Sequence, residues 1–258
     1  MEITSFAMDF FSLQGRNAVV TGGNTGLGQA FAVALAAGGA NVFVPSLADD
    51  DGTTRRLIED VGARYEFMQA DITEPGIPKQ VVRACVERLG SIDILINSAG
   101  ICPLAEVLDF GRAQWDATVA VNLTAAFEMS YEAAQHMVPR RSGKIINICS
   151  MFSFLGGRLS PAYSATKHGI AGLTKSYCDE LAMHNIQVNG IAPGYYATAI
   201  TTNTRSNPES NQRVLDHIPA GRWGEPADLM GTVVFLASRA SDYVNGHVLC
   251  VDGGYLVR

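Results

Sequence analysis

A tyrosine and a lysine, Tyr163 and Lys167, lie four positions apart in the second half of the chain. On a helix this spacing places the lysine ammonium beside the phenol. A free tyrosine has a pKa of about 10, so it exchanges protons poorly at neutral pH unless a nearby cation favours the phenolate. The pair therefore indicates a tyrosine acid/base, although the same spacing also occurs on solvated helix faces, so the prediction depends on companion motifs.

A serine that follows a continuous apolar run is the first motif that supports a catalytic role for the tyrosine–lysine pair. Residues 144–148 read as a buried strand, and Ser150 comes directly after it. Open α/β sheets bind their ligands beyond the carboxyl ends of the strands. A hydroxyl at that edge is placed to orient a substrate oxygen.

A glycine-rich turn is the second motif that supports this role. The segment Thr21-Gly22-Gly23-Asn24-Thr25-Gly26-Leu27-Gly28 follows a strand and opens a helix. Glycines there allow a tight turn and close approach to a pyrophosphate, while the helix N-terminus supplies free N–H groups. The turn predicts a dinucleotide site. An ordinary glycine-rich β–α turn is the alternative if the motif stands alone, and here it does not.

The elements that position these residues alternate along the chain. Short β-branched runs are separated by stretches of helical periodicity, which is typical of an α/β fold with helices on both faces of a parallel sheet. No repeat or linker interrupts this pattern, so a single domain over residues 1–258 is predicted. The predicted strands are 17–21, 41–44, 65–69, 94–97, 144–148, 187–191 and 248–251, which form a doubly wound seven-stranded sheet.

The clearest helical segments are 27–37, 78–89, 114–137 and 162–184. The last two are long and apolar on more than one face, which indicates subunit contacts. The polar, irregular stretch 195–208 follows a strand. A substrate lid is therefore predicted at about 195–217.

Composition excludes several classes of protein. With 258 residues at 47% hydrophobic the chain can bury one large core, and its net charge of −6 lacks the basic surface that nucleic acids or anionic membranes require. No apolar run is long enough to cross a bilayer. Residues 1–13 carry Glu2 and Asp9 without a cationic start, so a signal peptide is not expected and a cytoplasmic location is predicted.

Cysteine and histidine usage points to chemistry without a metal. Five cysteines occur without a CxxC pair, and we interpret them as reduced core residues. The five histidines show no ligand spacing, so no metal site is predicted.

The combined motifs resemble the classical short-chain dehydrogenase/reductase family over essentially the whole chain. The matching positions are 21–28, Asp71, 97–100, Asn122, Ser150, Tyr163, Lys167, Pro193-Gly194 and 251–254. The resemblance implies a Rossmann fold and hydride transfer between NAD(P) and an alcohol or carbonyl carbon. Ser98 stands where the family has a second asparagine, which is a mild departure because the first, Asn97, is the one with a structural use.

The resemblance also implies residue roles. Tyr163 would be the general acid/base, and Lys167 would hold the nicotinamide ribose and depress the tyrosine pKa. Ser150 would bind the carbonyl, and Asn122 would anchor a proton-relay water. The implied cofactor-binding residues are Gly22, Asn24, Thr25, Gly26, Leu27, Gly28, Ser46, Asp71, Ile72, Asn97, Ala99, Gly100, Tyr163, Lys167, Pro193, Gly194 and Thr198.

Segments 143–148, 191–198, 218–224, 228–231 and 241–246 resemble one subgroup of that family, the 2-deoxy-D-gluconate 3-dehydrogenases and 2-dehydro-3-deoxy-D-gluconate 5-dehydrogenases. The implied substrate is a small sugar acid, oxidised at a secondary alcohol or formed by reduction of the corresponding ketone.

A sugar-acid carboxylate needs a cation or several donors once it is desolvated. Arg158 lies between Ser150 and Tyr163 and is the first candidate, with a plain surface arginine as the alternative; Arg205 and Arg213 are further candidates. The predicted substrate contacts are Ser150, Phe152, Arg158, Tyr163 and Tyr195, and Met151, Cys102 and Tyr196 are either pocket walls or core.

Cofactor choice depends on the end of the second strand, where Ser46 stands. Ser46 is neither acidic nor basic. The acidic run Asp49-Asp50-Asp51 follows, so NAD is predicted over NADP, which stays possible because the acidic run also fits a solvated loop.

Two other functions remain open from the sequence. One is reduction of a different carbonyl, such as a 3-oxoacyl thioester or a polyol ketone. The other is a non-catalytic nucleotide-sensing protein, which the intact set Asn122, Ser150, Tyr163 and Lys167 disfavours. By resemblance, a homotetramer is expected.

Overall fold

The computed structural model describes residues 7–258. Glu2, which was part of the argument against a signal peptide, lies outside the described residues. Within them, none of the helices combines the length and apolarity that membrane crossing requires.

A seven-stranded parallel sheet organises the structure. Its spatial order is β3-β2-β1-β4-β5-β6-β7, so the chain reverses its winding direction between β1 and β4. Ligands of doubly wound sheets bind in the crevice at that reversal. The strands are β1 (Asn17–Val20), β2 (Asn41–Ser46), β3 (Tyr65–Gln69), β4 (Ile94–Asn97), β5 (Gly143–Ile148), β6 (Ile186–Pro193) and β7 (Val248–Val251).

The predicted fold class, a single-domain α/β Rossmann fold with helices on both faces, is confirmed. Each predicted strand is present and its bounds differ by at most two residues at either end. The central strands are buried along their whole length, as in β5 and β6, because helices cover both faces.

The helices divide between the two faces. On one face α1 and α9 enclose a core around Phe31 and Leu35, and on the other α3 and α5 enclose a core around Met129 and Met137. The helices are α1 (Gly26–Ala37), α2 (Thr53–Glu59), α3 (Ile77–Leu89), α4 (Arg112–Val119), α5 (Ala125–Met137), α6 (Pro161–Leu181), α7 (Thr202–Ser206), α8 (Pro208–His217) and α9 (Met230–Ala237).

The predicted continuous helix 114–137 differs from the structure. A π-helical turn, Ala120–Thr124, separates α4 from α5 and contains Asn122. Such turns insert one extra residue into a helix and occur often at functional sites. Apolar periodicity continues on both sides of the turn, so the sequence pattern does not reveal it.

The stretch predicted to be irregular, 195–208, contains α7 and leads into α8. Asn207 caps α8, since its side-chain oxygen accepts from the backbone N–H of Ser210 at 2.9 Å. The polar composition of α8 suits a helix with most of its surface exposed.

The cysteines are all free thiols, but only Cys85 and Cys149 are buried. The prediction that all five are core residues is wrong for Cys250, which is exposed because β7 lies at the edge of the sheet.

Candidate active site

Three side chains from two elements meet beyond the carboxyl end of β5. Lys167 Nζ donates a hydrogen bond of 2.6 Å to the carbonyl of Ile148, the last residue of β5, and lies 5.3 Å from the centre of the Tyr163 ring. Ser150 comes two residues after Ile148, and its hydroxyl lies close enough to Tyr163 to act on the pKa of that phenol. Tyr163 and Lys167 project from the first half of α6, so one helix and one strand end build the cluster.

Burial controls the protonation of this cluster. Desolvation raises the pKa of Tyr163 above its usual value, a nearby Cys102 adds to the rise, and the hydrogen bond with Ser150 opposes it. Desolvation also lowers the pKa of Lys167 to about 8. Sequence reasoning expected a depressed tyrosine pKa. That expectation is wrong for the protein alone, because burial outweighs any attraction between phenolate and ammonium.

The turn after β5 fixes Ser150. Its hydroxyl accepts from the backbone N–H of Phe152 at 3.2 Å, and the Ser153 hydroxyl donates to the Lys167 carbonyl at 2.6 Å. The Phe152 ring meets the Tyr163 ring edge to face, with centroids 6.1 Å apart. These contacts tie the β5 turn to α6 and limit the positions open to the phenol.

Asn122 and Asn97 are buried beside the cluster. The Asn122 amide donates to the Ile101 carbonyl and its side-chain oxygen accepts from the Ile101 N–H, both at 2.9 Å. The Asn97 amide donates to Ser130 and Asn147 at 2.9 and 2.8 Å, which joins β4 to α5 and β5. In this structure both side chains hold backbone segments around the site.

The glycine turn has the geometry that a pyrophosphate needs. Gly22 and Gly26 adopt positive φ values of 64° and 54°, and a Cβ added at Gly26 would meet nothing within 4 Å. The open space faces the start of α1, whose first N–H groups lack helical partners. The Thr21 hydroxyl accepts from the N–H groups of Ser98 and Ala99 at 2.9 and 3.0 Å, which joins this turn to the β4 loop.

Close packing makes Gly28 the least replaceable glycine of the turn. A Cβ there would lie 2.3 Å from the Gly22 carbonyl oxygen. Gly28→Ala is therefore expected to displace the turn and weaken NADH binding by about tenfold or more, measured by fluorescence titration. Gly231→Ala in α9, where an added Cβ meets nothing within 4 Å, is the matched control. Equal affinities in the two variants would contradict this role.

Polar groups at the ends of β2 and β3 have partners within the loops. Ser46 is buried at the end of β2, and Asn24 donates to the carbonyls of Ala48 and Asp49 at 3.1 and 3.0 Å. Asp49 accepts from Gln69 at 2.6 Å, and Asp51 accepts from the N–H of Thr53.

Asp71 follows β3 and accepts from both the N–H and the hydroxyl of Thr73, which hold its pKa below the usual range. The next residue, Ile72, is buried. After β6, the backbone N–H of Gly194 donates to the Val251 carbonyl at 3.1 Å, and the Thr198 N–H donates to the Thr201 hydroxyl.

Arg158, the first candidate for a substrate carboxylate, lies on the segment between β5 and α6. Its side chain is 77% exposed and lies 3.5 Å from Glu106. An exposed ion pair of this kind contributes little, so Arg158 stays a candidate for the substrate carboxylate. Among the proposed wall residues, Met151 and Tyr196 are core residues, whereas Phe152 and Tyr195 keep exposed surface.

The structure places two aromatic side chains next to Tyr195 and a third beside one of these, and the sequence analysis assigned none of the three to the site. The rings of Trp223 and Tyr255 each lie 5.4 Å from the Tyr195 ring, and His217 lies 4.2 Å from Tyr255. These residues are far apart in sequence. The glycine pair before Tyr255, which bends the chain back, is the one available signal.

Between residues 7 and 258 there is no group of three or more His, Cys, Asp or Glu side chains that could hold a metal ion.

The chain is similar to a large set of known oxidoreductases. The family model described as enoyl-(acyl carrier protein) reductase matches residues 22–256. The uncharacterised oxidoreductase YgcW of Escherichia coli is 68% identical over 99% of this chain and 98% of its own length. A 2-dehydro-3-deoxy-D-gluconate 5-dehydrogenase of Bacillus subtilis is 48% identical over 97% of this chain and 98% of its own length.

Solved structures of oxidoreductases are also similar to this chain. The crystal structure of a gluconate 5-dehydrogenase from Burkholderia cenocepacia, in complex with NADP and tartrate, matches with a TM-score of 0.94 and 37% identity. The match covers 98% of this chain and 100% of that one. With this fold, a dinucleotide turn and relatives of these identities over nearly the full length, the chain is an NAD(P)-dependent oxidoreductase that belongs to the short-chain dehydrogenase/reductase family.

Proposed function

We propose that this enzyme oxidises a secondary alcohol of a small sugar acid of the deoxygluconate or ketodeoxygluconate type, or reduces the corresponding ketone, with Tyr163 as the acid/base. The observation that carries the proposal is the meeting of Tyr163, Ser150 and Lys167 at the end of β5, beside the switch point of the sheet. When bound, the nicotinamide ring accepts or delivers the hydride.

The residues of the chain would handle the proton and the substrate oxygen. In oxidation, Tyr163 Oη takes the hydroxyl proton, and in reduction it returns that proton to the new alkoxide oxygen. Ser150 lies next to the phenol and would orient the same oxygen. Lys167 would stabilise the phenolate and hold the nicotinamide ribose, and Asn122 would position the Ile101 loop and a relay water.

The dinucleotide would lie from the α1 turn to the β6 end. Gly22, Gly26 and Gly28 would admit the pyrophosphate, and Pro193-Gly194 and Thr198 would border the nicotinamide. Further contacts would come from Asn24, Thr25, Leu27, Ser46, Asp71, Ile72, Asn97, Ala99 and Gly100.

Within the dinucleotide class, NAD is the preferred form in this proposal. Leu47 follows Ser46 with 69% of its surface exposed, and three aspartates follow, so a ribose 2′-phosphate would meet negative charge. Because the Burkholderia relative was crystallised with NADP, NADP remains an accepted second cofactor in the proposal.

The substrate class rests on the relatives. Those of Bacillus subtilis and Escherichia coli at 48% and 46% identity are named 2-dehydro-3-deoxy-D-gluconate 5-dehydrogenases, and the Burkholderia structure holds tartrate, a small hydroxy acid. Gluconate derivatives and tartrate are all hydroxy-bearing carboxylic acids, which supports a small sugar acid as the substrate.

Initial-rate assays test the proposal. A panel of hydroxy and keto sugar acids, matched neutral polyols and a 3-oxoacyl thioester is run with NAD(H) and NADP(H) in parallel. The highest kcat/KM is expected for a sugar acid with NAD(H). A preference for the polyols or the thioester by tenfold or more would contradict the substrate class.

The thioester is the second candidate because the loops that follow β4 and β5 carry exposed apolar side chains. Leu104, Leu108 and Phe154 are 60%, 95% and 49% exposed on the loops after β4 and β5. An acyl chain would cover such surfaces. A thioester preference in the panel would select this candidate.

Assembly and location extend the proposal. Phe127, Tyr131 and Leu173 form an exposed apolar face across α5 and α6, and a homotetramer would bury such a face. Light scattering measures this directly. A cytoplasmic location and a lid role for 195–217 complete the proposal.

A further inference from the structure

Four aromatic side chains from separate segments converge beyond the end of β6. Tyr195 follows β6, and Trp223 precedes Gly224, which forms a β-bridge with Tyr196. His217 ends α8, and Tyr255 lies near the C-terminus. Tyr195 contacts Trp223 at 5.4 Å with the planes at 79°, and Tyr255 at 5.4 Å with the planes at 58°. His217 lies 4.2 Å from Tyr255. We call these four residues the aromatic wall.

The backbone after β6 directs Tyr195 away from the core. Tyr196 pairs with Gly224, points inward at 5% exposure and donates to the Val251 carbonyl at 2.9 Å. Because extended neighbours alternate sides, Tyr195 points outward. A Cβ at Gly224 would lie 2.7 Å from the Tyr196 ring, so this glycine lets the two segments approach and brings Trp223 beside Tyr195.

Two glycine contacts bring Tyr255 to the same place. A Cβ at Gly194 would lie 2.7 Å from the Asp252 Cα, so the C-terminal segment can pass against the end of β6. Gly253 and Gly254 then turn with φ values of 64° and 88°, and a Cβ added at these glycines would lie 3.0 Å from Ile218 and from Pro219, which follow α8. The turn sets Tyr255 between Tyr195 and His217.

Hydrogen bonds fix the wall to α8. Trp223 Nε1 donates to the Asn211 side-chain oxygen at 2.7 Å, and the Arg258 guanidinium donates to the Asp216 carbonyl at 3.0 Å. The wall therefore has a defined shape before any ligand binds.

The four side chains are a surface and not core. None of them belongs to the buried clusters of the described residues, and each keeps part of its surface exposed. A group of aromatic rings assembled from four segments with one side open is typical of a ligand wall.

The wall lies at the same edge of the sheet as the catalytic cluster. Ile191 of β6 is in register with Ile148 of β5, whose carbonyl accepts from Lys167, and Tyr195 follows four residues later. The Cys102 thiol lies within electrostatic range of both Tyr163 and Tyr195.

The arginines that border this region have other partners. Arg158 lies 3.5 Å from Glu106, Arg213 lies 3.0 Å from Glu209, and Arg222 lies 2.7 Å from Asp228. Arg205 donates to the Thr198 carbonyl at 3.1 Å. The phenols of Tyr195 and Tyr255 are neutral donors, so the wall itself suits hydroxyl groups.

From this arrangement we infer that the aromatic wall is a subsite for the end of the substrate remote from the reacting carbon, and that it binds a hydroxyl-bearing carbon chain. C–H groups of the chain pack on the rings, whose faces are electron-rich, and phenol O–H groups donate to its oxygens. Burial and the hydroxyl of Tyr255 raise the pKa of Tyr195 to about 12, so this phenol stays a donor at neutral pH.

This subsite rests on the proposed function, and kinetics on Tyr255→Phe test it. The variant keeps the ring and removes one donor. With a six-carbon sugar acid, KM is expected to rise about fivefold with kcat unchanged, as for the loss of one hydrogen bond made equally in ground and transition states. KM for NAD should not change. A four-carbon hydroxy acid, whose chain ends two carbons nearer the reacting carbon, should show little or no effect.

Tyr243→Phe is the matched control because Tyr243 is fully exposed. If Tyr255→Phe behaves like this control with the six-carbon acid, or raises KM equally for the four-carbon acid, the subsite is overturned. Failure of the wild-type enzyme to oxidise any sugar acid would instead contradict the proposed function.

A binding measurement separates the two failures without turnover. The chain has two tryptophans, so Trp115→Phe leaves Trp223 as the single reporter, and Tyr163→Phe suppresses catalysis. Titration of this NAD-loaded double variant with the six-carbon acid should give a saturable change in emission, weaker after Tyr255→Phe is added. An unchanged emission would overturn the subsite.

Discussion

Tyr163→Phe is expected to lower kcat by about 10³-fold while the fold and the affinity for NADH stay the same. Phenylalanine preserves the ring that meets Phe152 edge to face, with centroids 6.1 Å apart, so only the proton donor is lost. Ser150 cannot replace it, because an aliphatic hydroxyl is a much weaker acid than a phenol. Steady-state kinetics with the best substrate of the panel, together with NADH fluorescence titration, measure both quantities.

Tyr243→Phe is a suitable control, since that side chain is fully exposed and belongs to none of the sites described above. Retention of more than a tenth of the wild-type kcat in Tyr163→Phe would remove this residue as the acid/base. If the variant loses turnover but keeps the biological effect of the protein, a nucleotide-sensing role gains support.

The sheet could be predicted from the sequence because its strands are buried on both faces. Ile145, Ile146 and Ile148 of β5 are all buried, so the strand is a mostly apolar run in the sequence and not an alternation of apolar and polar residues. The strand bounds follow directly. The glycine turn could be predicted equally well, because its glycines stand at positions whose backbone conformations few other residues adopt.

Features that depend on packing between distant segments could not be predicted from the sequence. Asn122 lies in a π-helical turn that apolar spacing does not mark, and Arg158 takes Glu106 as a partner from a loop 52 positions away. The aromatic wall depends on Gly194 and Gly224, whose missing side chains let distant segments touch. Each glycine alone looks like an ordinary turn residue.

The protonation states of the cluster followed from burial and not from residue types. The i, i+4 spacing of Tyr163 and Lys167 predicted their proximity, and the ammonium does lie 5.3 Å from the ring centre. Spacing contains no information on how much water each group loses. Desolvation of both is what moves the two pKa values, the phenol upward and the ammonium down to about 8.

Lys167→Met is expected to lower kcat/KM for alcohol oxidation by about 100-fold or more, because the buried phenolate then forms without a neighbouring cation. Methionine fills a similar volume on α6 but cannot donate to the Ile148 carbonyl. Lys175→Met, at an exposed position of the same helix, is the matched control and should retain full activity. An equal loss in the two variants, or none in Lys167→Met, would contradict the role of the ammonium.

The same substitution has a pH signature in stability. Since the pKa of Lys167 is lowered to about 8 in the folded protein, the unfolded chain holds more protons between pH 8 and its ordinary pKa of 10.5. The free energy of unfolding of the wild type should therefore rise with pH in that window, relative to Lys167→Met, by about 2 kcal/mol between pH 7 and 9.5. Tyr163 is present in both proteins, so its own titration cancels to first order. Urea denaturation at several pH values measures the difference, and parallel curves for the two proteins would mean that Lys167 keeps an ordinary pKa and that its burial costs no stability at neutral pH.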